Sequence, residues 1–462
     1  MTTTLTAYDD PAVAAALPRV HERFLEFALR RPEYLDPASF VLLGQKDGVL
    51  RHPMEGWPLF IGREQAAALG RAAVGIARVA ASIPRRVFEL DPERMAEFYR
   101  LPRELVGLTV SLMAKNDPTD GAIGRGDFIL APSGLKCCEA NMAGNLGGSE
   151  LGDWTERYLR EPLVRRFMEH EGLVGSYTDP PRVLFHHILD EAEERGVPED
   201  GRLNAALLVS PSPPEWRAHF QRVWQSVLAD RGGAVEGELA VCGDAELRER
   251  GGRLFLGDLR IDVVVDASFG QVARHVFVAL QAGRVRAYNG PATPLLSDKL
   301  NLALASEMAD SGLFTDEERR VIRDHLPWTR RVEDGFADFE GERVYLPDLL
   351  ADRRERLILK HSLSSQGSDV HAGAFTPPAR WEELVRAALD DGLWIVQEFM
   401  PPTPIPFLLP EGGAADHEVV WGLYIIGERY GGGFLRVQPA GRAGVINSAR
   451  GALCTCIIEV DE

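Results

Sequence analysis

Between residues 182 and 290 short apolar runs alternate with stretches of helical period, and this alternation limits the possible folds more than any other feature of the chain. Segments 206–210, 235–241, 254–256, 261–265 and 285–288 read as strands, with helices at 215–231, 244–250 and 271–281 between them. Strand and helix in turn predict a parallel sheet layered by helices, a small doubly wound unit. The flanks differ. Residues 1–110 have mainly helical spacing, at 21–30, 63–81 and 91–99, and Asp91-Pro92 is a good helix start. Segments 127–131 and 135–139 read as two strands joined by a turn at Pro132-Ser133-Gly134, with a helix predicted over 154–170. After a helical stretch at 296–325, mixed structure returns, with strands near 357–360, 394–399, 419–426 and 433–438 and a helix over 381–390. The fold class expected is mixed α/β.

Composition removes several function classes. At roughly 100–200 residues per domain, 462 residues make two to four packed units. The net charge is −18 and no basic stripe is present, which argues against a nucleic-acid partner. Five cysteines (137, 138, 242, 454 and 456) are an odd number without zinc or redox spacing, so they read as small buried residues. The opening decapeptide is polar, and the apolar stretch 65–83 is interrupted by Arg71 and Arg78, so neither a leader nor a membrane partner is expected. The expected location is cytoplasmic. Lysine is scarce. Of 51 Lys plus Arg, five are Lys (46, 115, 136, 299 and 360), leaving 46 Arg. A position that keeps Lys against that drift needs a compact ammonium, as a phosphate contact in a tight pocket does.

Five motifs carry chemistry. Arg125-Gly-Asp127 is followed, twelve residues after the aspartate, by Glu139-Ala-Asn141. On two antiparallel strands these residues meet, and alternate residues share a face, so two carboxylates and an amide oxygen make a hard-oxygen set suited to Mg²⁺. Arg125 shares the face of Asp127. Taken alone, the pattern also fits a hairpin with exposed polar residues. The second motif is an apolar strand ending in Lys360 and running into a hydroxyl-rich loop with Ser364, Ser365, Gln366 and Gly367. Such a loop can cover a polyphosphate, or be a plain surface turn; it lacks Walker spacing. The third is a strand ending in Gln397-Glu398, suited to an adenosine edge or to a buried strand with a polar end. Asp298-Lys299 opening a helix, and a glycine-rich strand delivering Arg436, complete the set, each compatible with a solvated surface charge.

Together these pieces resemble the synthetase domain of glutathionylspermidine synthase and its circularly permuted ATP-grasp relatives. The likeness rests on the Arg-x-Asp, twelve-residue step, Glu-x-Asn pattern, and on its position ahead of Lys299, Lys360 and Gln397-Glu398. In ordinary ATP-grasp enzymes the lysines and hinge come first. The resemblance implies an ATP-grasp fold, circularly permuted, with the small doubly wound parallel-sheet domain inserted. Its parts would be a helical region 1–95, a metal-ligand part 96–178, a Rossmann-like domain 179–300 and a nucleotide-lysine and hinge part 301–462. It implies ATP and Mg²⁺, two ions, as cofactors. Asp127, Glu139 and Asn141 would be metal ligands, and Arg125 and Arg436 would stabilise the phosphoryl group. Lys299 and Lys360 would hold ATP phosphates under the loop 362–368, and Gln397 and Glu398 would line the adenosine. Two departures stand out: His361 replaces a common Pro, and the segment 263–269 is small and apolar apart from Asp266, where relatives are often Arg-rich.

The activity expected is an ATP-dependent carboxylate–amine ligase that forms an amide through an acyl phosphate. Its partners would be a small-molecule or peptide carboxylate and an amine. No fused amidase domain is expected, and the oligomeric state stays open. The alternatives are an ATP-grasp small-molecule kinase and a non-catalytic nucleotide-binding protein.

Overall fold

The computed structural model describes residues 18–35, 57–114, 122–144, 147–196, 201–209, 214–233, 235–268, 272–364, 369–409 and 412–461. Its largest sheet has eight strands. Across it run Leu59–Gly62, Leu453–Val460, Arg429–Pro439, Ala414–Ile426, Ile123–Ala131 and Gly134–Asn141, with Ile405–Leu408 and Gly175–Ser176 paired at the side. All these pairs are antiparallel except Leu59–Gly62 with Leu453–Val460. Directly paired residues share a face. One face therefore carries Phe128, Trp421, Leu423, Leu435 and Ile457, all buried with the long helix Arg63–Arg86. That helix is long and apolar enough to cross a membrane, but it lies against the sheet with Leu69, Ala73, Ile76, Ala80 and Ile83 buried. Gly70 permits the close approach, since a Cβ there would sit 2.8 Å from Tyr430 Cβ.

The opposite face is covered at one end only. There Tyr424, Ile426, Phe434, Cys456 and Ile458 pack with Trp154, Tyr158, Phe185 and Trp224. The last two come from helices Pro180–Arg195 and Pro214–Asp230, which flank a second sheet. This sheet is parallel throughout, in the order Arg286–Tyr288, Val263–Asp266, Ala205–Leu208, Leu239–Cys242. The alternation in the sequence thus becomes a parallel α/β layer. A third, antiparallel sheet orders Thr329–Arg331, Trp394–Glu398, Leu357–His361 and Val370–Ala372. Helices Leu346–Asp352 and Pro378–Asp391 cover one of its faces through Leu349, Leu350, Trp381 and Leu384.

Three sequence expectations are corrected. The helix expected over 154–170 is two helices, Gly152–Arg160 and Pro162–Glu171, because Pro162 cannot continue the first and opens the second. The helix expected over 244–250 is a short turn, Asp244–Glu246, and a strand, Arg248–Arg250, paired with Arg253–Leu256. Gly251 and Gly252, both at positive φ, close that hairpin and override the helical preference of Glu246-Leu-Arg-Glu249. Residues 1–110 are mainly helical where described, with one strand, Leu59–Gly62, that joins the large sheet. The hairpin strands are longer than expected, Ile123–Ala131 and Gly134–Asn141.

One ion pair ties the long helix to Asp316–His325. Arg86 donates to both oxygens of Glu318, at 2.7 and 2.8 Å, and Glu318 Oε2 also accepts from Thr315 N at 2.8 Å. Burial pushes the Glu318 carboxyl up, but Arg86 and Thr315 outweigh it and hold it at about 2. A depressed carboxyl stabilises the fold above its unfolded pKa, and the contribution disappears as pH falls through the folded value. Glu318→Gln should cost about 1–3 kcal/mol at neutral pH. In urea titrations the gap to wild type should shrink from about pH 4.3 downward. A gap equally large at pH 7 and near pH 2 would rule the ion pair out as its source.

Candidate active site

The hairpin Ile123–Ala131/Gly134–Asn141 begins in ordinary register, with Ala131 opposite Gly134 and Phe128 opposite Cys137. A bulge then shifts the ladder, so Asp127 lies opposite Glu139 and Arg125 opposite Asn141. Cys138 is the extra residue. Without the bulge Asp127 would oppose Cys138, and Glu139 and Asn141 would turn to the other face.

On the uncovered end of this face Asp127 is held between two arginines. Arg125 Nε donates to Oδ1 at 2.8 Å and Nη2 to Oδ2 at 3.3 Å. Arg436, two strands away, places Nη2 2.6 Å from Oδ2. It reaches because Gly422 lies between them, opposite both Asp127 and Phe434. Phe434 lies beneath both guanidinium groups, 5.4 Å from Arg125 Cζ and 6.0 Å from Arg436 Cζ. Burial pushes the Asp127 carboxyl up, but Arg125 and Arg436 prevail and hold it below the usual carboxylate range, so it is ionised at any physiological pH. The Arg436 pair is one of charge and distance. Its Nε and Nη2 hydrogens make no aligned hydrogen bond among the described residues, which leaves directed donors in a buried place.

The third sheet brings the lysines. Lys360 Nζ donates to Gln397 Oε1 at 2.6 Å and to the carbonyl of the bulged Cys138 at 2.7 Å. Gln397 Nε2 in turn donates to Thr329 Oγ1 at 3.0 Å. Burial lowers the Lys360 ammonium below the usual lysine range, and Lys299 adds to this while Glu139 opposes it. Lys299 is the N-cap of the helix Leu300–Glu307. Its Nζ lies 2.9 Å from Glu139 Oε1 and donates to the Ser364 carbonyl at 2.6 Å. Asp127, Lys299, Lys360 and Arg436 are each no more than 8% exposed. Beside them, Ile129, Val420, Ile446 and Ala452 form an apolar patch on the large sheet, and Ile358, Val370 and Ala372 form one on the third.

Arg125, Asp127, Glu139, Asn141, Lys299, Lys360, Gln397 and Arg436 therefore converge, with Ser364 contributing its carbonyl. Glu398 does not join them. It follows Gln397 on the strand, points to the other face and pairs with Arg356 at 3.1 Å. Ser365, Gln366 and Gly367 lie outside the described residues. Sequence reasoning missed Gly422, Phe434, the Cys138 carbonyl and Tyr424, whose hydroxyl shares the Gly147 carbonyl with Arg125. The bulge was hidden; the glycine and aromatic at 422 and 434 were visible but had no partner until the strands were paired.

The arrangement holds four cationic side chains (125, 299, 360 and 436) against the carboxylates of 127 and 139. Counting Asp298 behind Lys299, one positive charge is left over, and with Asp298 protonated, two. Such a surplus in a buried crevice favours an anion. Among the described residues no three His, Cys, Asp or Glu side chains gather as a metal cluster. Two carboxylates and an amide nevertheless fit Mg²⁺, which takes one or two carboxylates and completes its shell with water and substrate phosphates.

The gap at Gly422 can be tested. A Cβ there would lie 2.7 Å from Phe434 Cε1 and 3.1 Å from Arg125 Cδ. Gly422→Ala should destabilise the fold by about 1–3 kcal/mol in chemical denaturation, because a filled core has to give way. Unchanged stability would mean that the two arginines do not depend on that gap.

No family model matches the chain, and no curated protein matches it. Solved structures match in shape. The apo form of a glutathione synthetase-like effector (GSS30) from Globodera pallida aligns with a TM-score of 0.54 and 16% identity, over 96% of this chain and 99% of that one. D-alanyl-alanine synthetase A from Vibrio cholerae O1 biovar eltor aligns over 55% of this chain and 74% of that one, at a TM-score of 0.30 and 11% identity, too slight a likeness to argue from. The mixed α/β architecture, across nearly its whole length, is thus similar to that of a glutathione synthetase-like protein.

Proposed function

We propose that this chain is an ATP-dependent carboxylate–amine ligase of the ATP-grasp kind, with its nucleotide-binding parts in permuted order. The observation that carries the reading is the buried surplus of positive charge around Asp127 and Glu139, between two sheets that each offer an apolar patch. A nucleotide polyphosphate with Mg²⁺ has the matching charge, and a purine has the matching surface. The position of the hairpin ahead of both lysines in the chain supports the permuted order. The parallel sheet fits an inserted unit over 179–300, between the parts 96–178 and 301–462 and after the region 1–95. Five free cysteines suit a reducing compartment, so the cytoplasm is the proposed place of action.

In this reading Asp127, Glu139 and Asn141 hold Mg²⁺, which screens charge on the phosphates when bound. Lys299 and Lys360 hold phosphate oxygens, and Gln397 fixes the ammonium of Lys360. A substrate carboxylate oxygen attacks the γ-phosphorus, the bond to the β-phosphate oxygen breaks, and ADP leaves an acyl phosphate. An amine then attacks the acyl carbon and phosphate departs, with one proton released. Arg125 and Arg436 face the charge that develops in both steps, and no side chain becomes a covalent nucleophile. The Arg436 Nε hydrogen, without an acceptor among the described residues, is a donor available for that work.

Incubation with ATP, Mg²⁺ and a panel of carboxylic acids, with hydroxylamine as trap, should give hydroxamate and phosphate in equal amounts. A product that keeps the phosphate would replace the ligase by a kinase. Asp127→Asn and Glu139→Gln should each reduce turnover about a hundredfold or more. Thermal melts of both variants check that they are folded. Full activity in both would show the metal-ligand assignment to be wrong.

A further inference from the structure

A cavity of about 210 Å³ lies at the outer edge of the third sheet, and none of the crevice side chains described above lines it. Thr329–Arg331 is the edge strand there. The helix Leu300–Glu307 and the hairpin Phe336–Phe339/Glu342–Tyr345 close the space beside it. Because the cavity runs along an edge, Arg330 and Arg331 both line it, although they leave the strand on opposite faces. The same edge presents backbone. Trp328 O accepts from Glu398 N, and Val332 N donates to Trp394 O. By the alternation of an antiparallel ladder, Thr329 and Arg331 therefore turn their N–H and C=O outward. Thr329 N finds Ser306 Oγ at 3.1 Å, but among the described residues no side chain answers the N–H and C=O of Arg331.

Four charged side chains line the cavity, Arg330, Arg331, Glu307 and Glu333, and among the described residues none of them is in an ion pair. Arg330 lies over Trp328 and Arg331 over Phe98, each Cζ 5.1 Å from the ring centroid, which holds both guanidinium groups in place. They donate to neutral oxygens: Arg330 to Ser306 Oγ at 3.0 Å and to the Thr329 carbonyl at 2.9 Å, Arg331 to the Gly392 carbonyl at 3.0 Å. Burial works against the Arg330 charge, and Glu307 and Asp338 face it without reaching it. Asp298 faces Arg331 in the same way. Partly buried guanidinium groups with neutral acceptors favour an incoming carboxylate. Glu307 and Glu333 stand exposed at the rim. The wall between is apolar, with Leu304, Leu346 and Phe336, and Phe336 is 63% exposed.

We propose that this cavity binds a free α-amino acid with an apolar side chain. Its carboxylate meets Arg330 and Arg331, its ammonium meets the Arg331 carbonyl and the rim glutamates, and its side chain covers Leu304, Leu346 and Phe336. The four lining charges cancel, so a zwitterion matches where a bare anion or cation leaves one pair unanswered. The outward N–H and C=O of Arg331 add the main-chain contacts by which a sheet edge takes up an added residue. Sites for drug-sized ligands hold roughly 300–1,000 Å³, so this smaller space suits a molecule of amino-acid size. Nothing in the site depends on a nucleotide.

Binding to the full chain is measured by calorimetry, without nucleotide, for L-leucine, for isocaproate, which lacks the ammonium, and for isoamylamine, which lacks the carboxylate. L-leucine should bind about tenfold more tightly than either analogue. Glu307→Gln combined with Glu333→Gln changes two exposed positions, so that variant should fold. It should weaken L-leucine about tenfold and leave isocaproate unchanged. Arg330→Gln should weaken L-leucine and isocaproate alike, with a thermal melt to show that it is folded. No binding of L-leucine at millimolar concentration overturns the site. Isocaproate binding as tightly as L-leucine overturns the zwitterion, and L-leucine binding that both variants leave intact overturns its placement in this cavity.

Discussion

A one-residue slip in a β-ladder decides what this protein can do. The bulge at Cys138 turns Glu139 and Asn141 to the face of Asp127, and the Cys138 carbonyl beside it accepts from Lys360 at 2.7 Å. The first effect gathers the acids on the large sheet. The second links that sheet to the third one, which carries Lys360 and Gln397. Gly134–Asn141 is the edge strand of its sheet, so it has carbonyls that no neighbouring strand takes up. The same strand therefore supplies one acid of the pair and brings a cation to it.

The site is held by charges that satisfy one another only partly. Asp127 lies between Arg125 and Arg436, Glu139 meets Lys299, and Lys360 leans on neutral oxygens. Pairing of this kind stabilises little in net terms, because each buried ion first gives up its water. What it provides is placement. The arginines are stiffened by Phe434 beneath them, and the lysines by carbonyls from neighbouring segments, so their charges stay aimed at one place. The hydrophobic cores behind both sheets supply the stability that such an arrangement costs.

Much of this was legible in the sequence, and what was not had a common cause. The parallel α/β layer could be read because alternation is local, and so could the Asp–Glu spacing of the hairpin. Arg436 was found as a strand-borne arginine, but its meeting with Asp127 depends on register across two strand pairs, which no local pattern encodes. Leu59–Gly62 was missed because its partner, Leu453–Val460, lies nearly the whole chain away. At Gly251-Gly252 the turn signal was local and visible, yet it was outvoted by the helical residues before it. Glu398, which the resemblance sets beside Gln397 along an adenosine, faces away to Arg356, because strand geometry sends neighbours to opposite faces.

The lysines themselves show why this buried crevice keeps ammonium groups in an arginine-rich chain. Lys360 fits between Gln397 Oε1 and the Cys138 carbonyl, two acceptors converging on one nitrogen at 2.6 and 2.7 Å. A guanidinium is planar, wider, and spreads its hydrogens over three nitrogens, so it could not serve both acceptors from one point. It also holds its proton far more firmly than Lys360, whose ammonium burial puts below the usual lysine range. Lys299 repeats the design, with Glu139 on one side and the Ser364 carbonyl on the other. Where two flat groups suffice to grip one carboxylate, at Asp127, the chain uses arginine. Where a single point of charge must stand among fixed oxygens, it keeps lysine. The division of labour between the two cations thus follows from the shape of what each one faces.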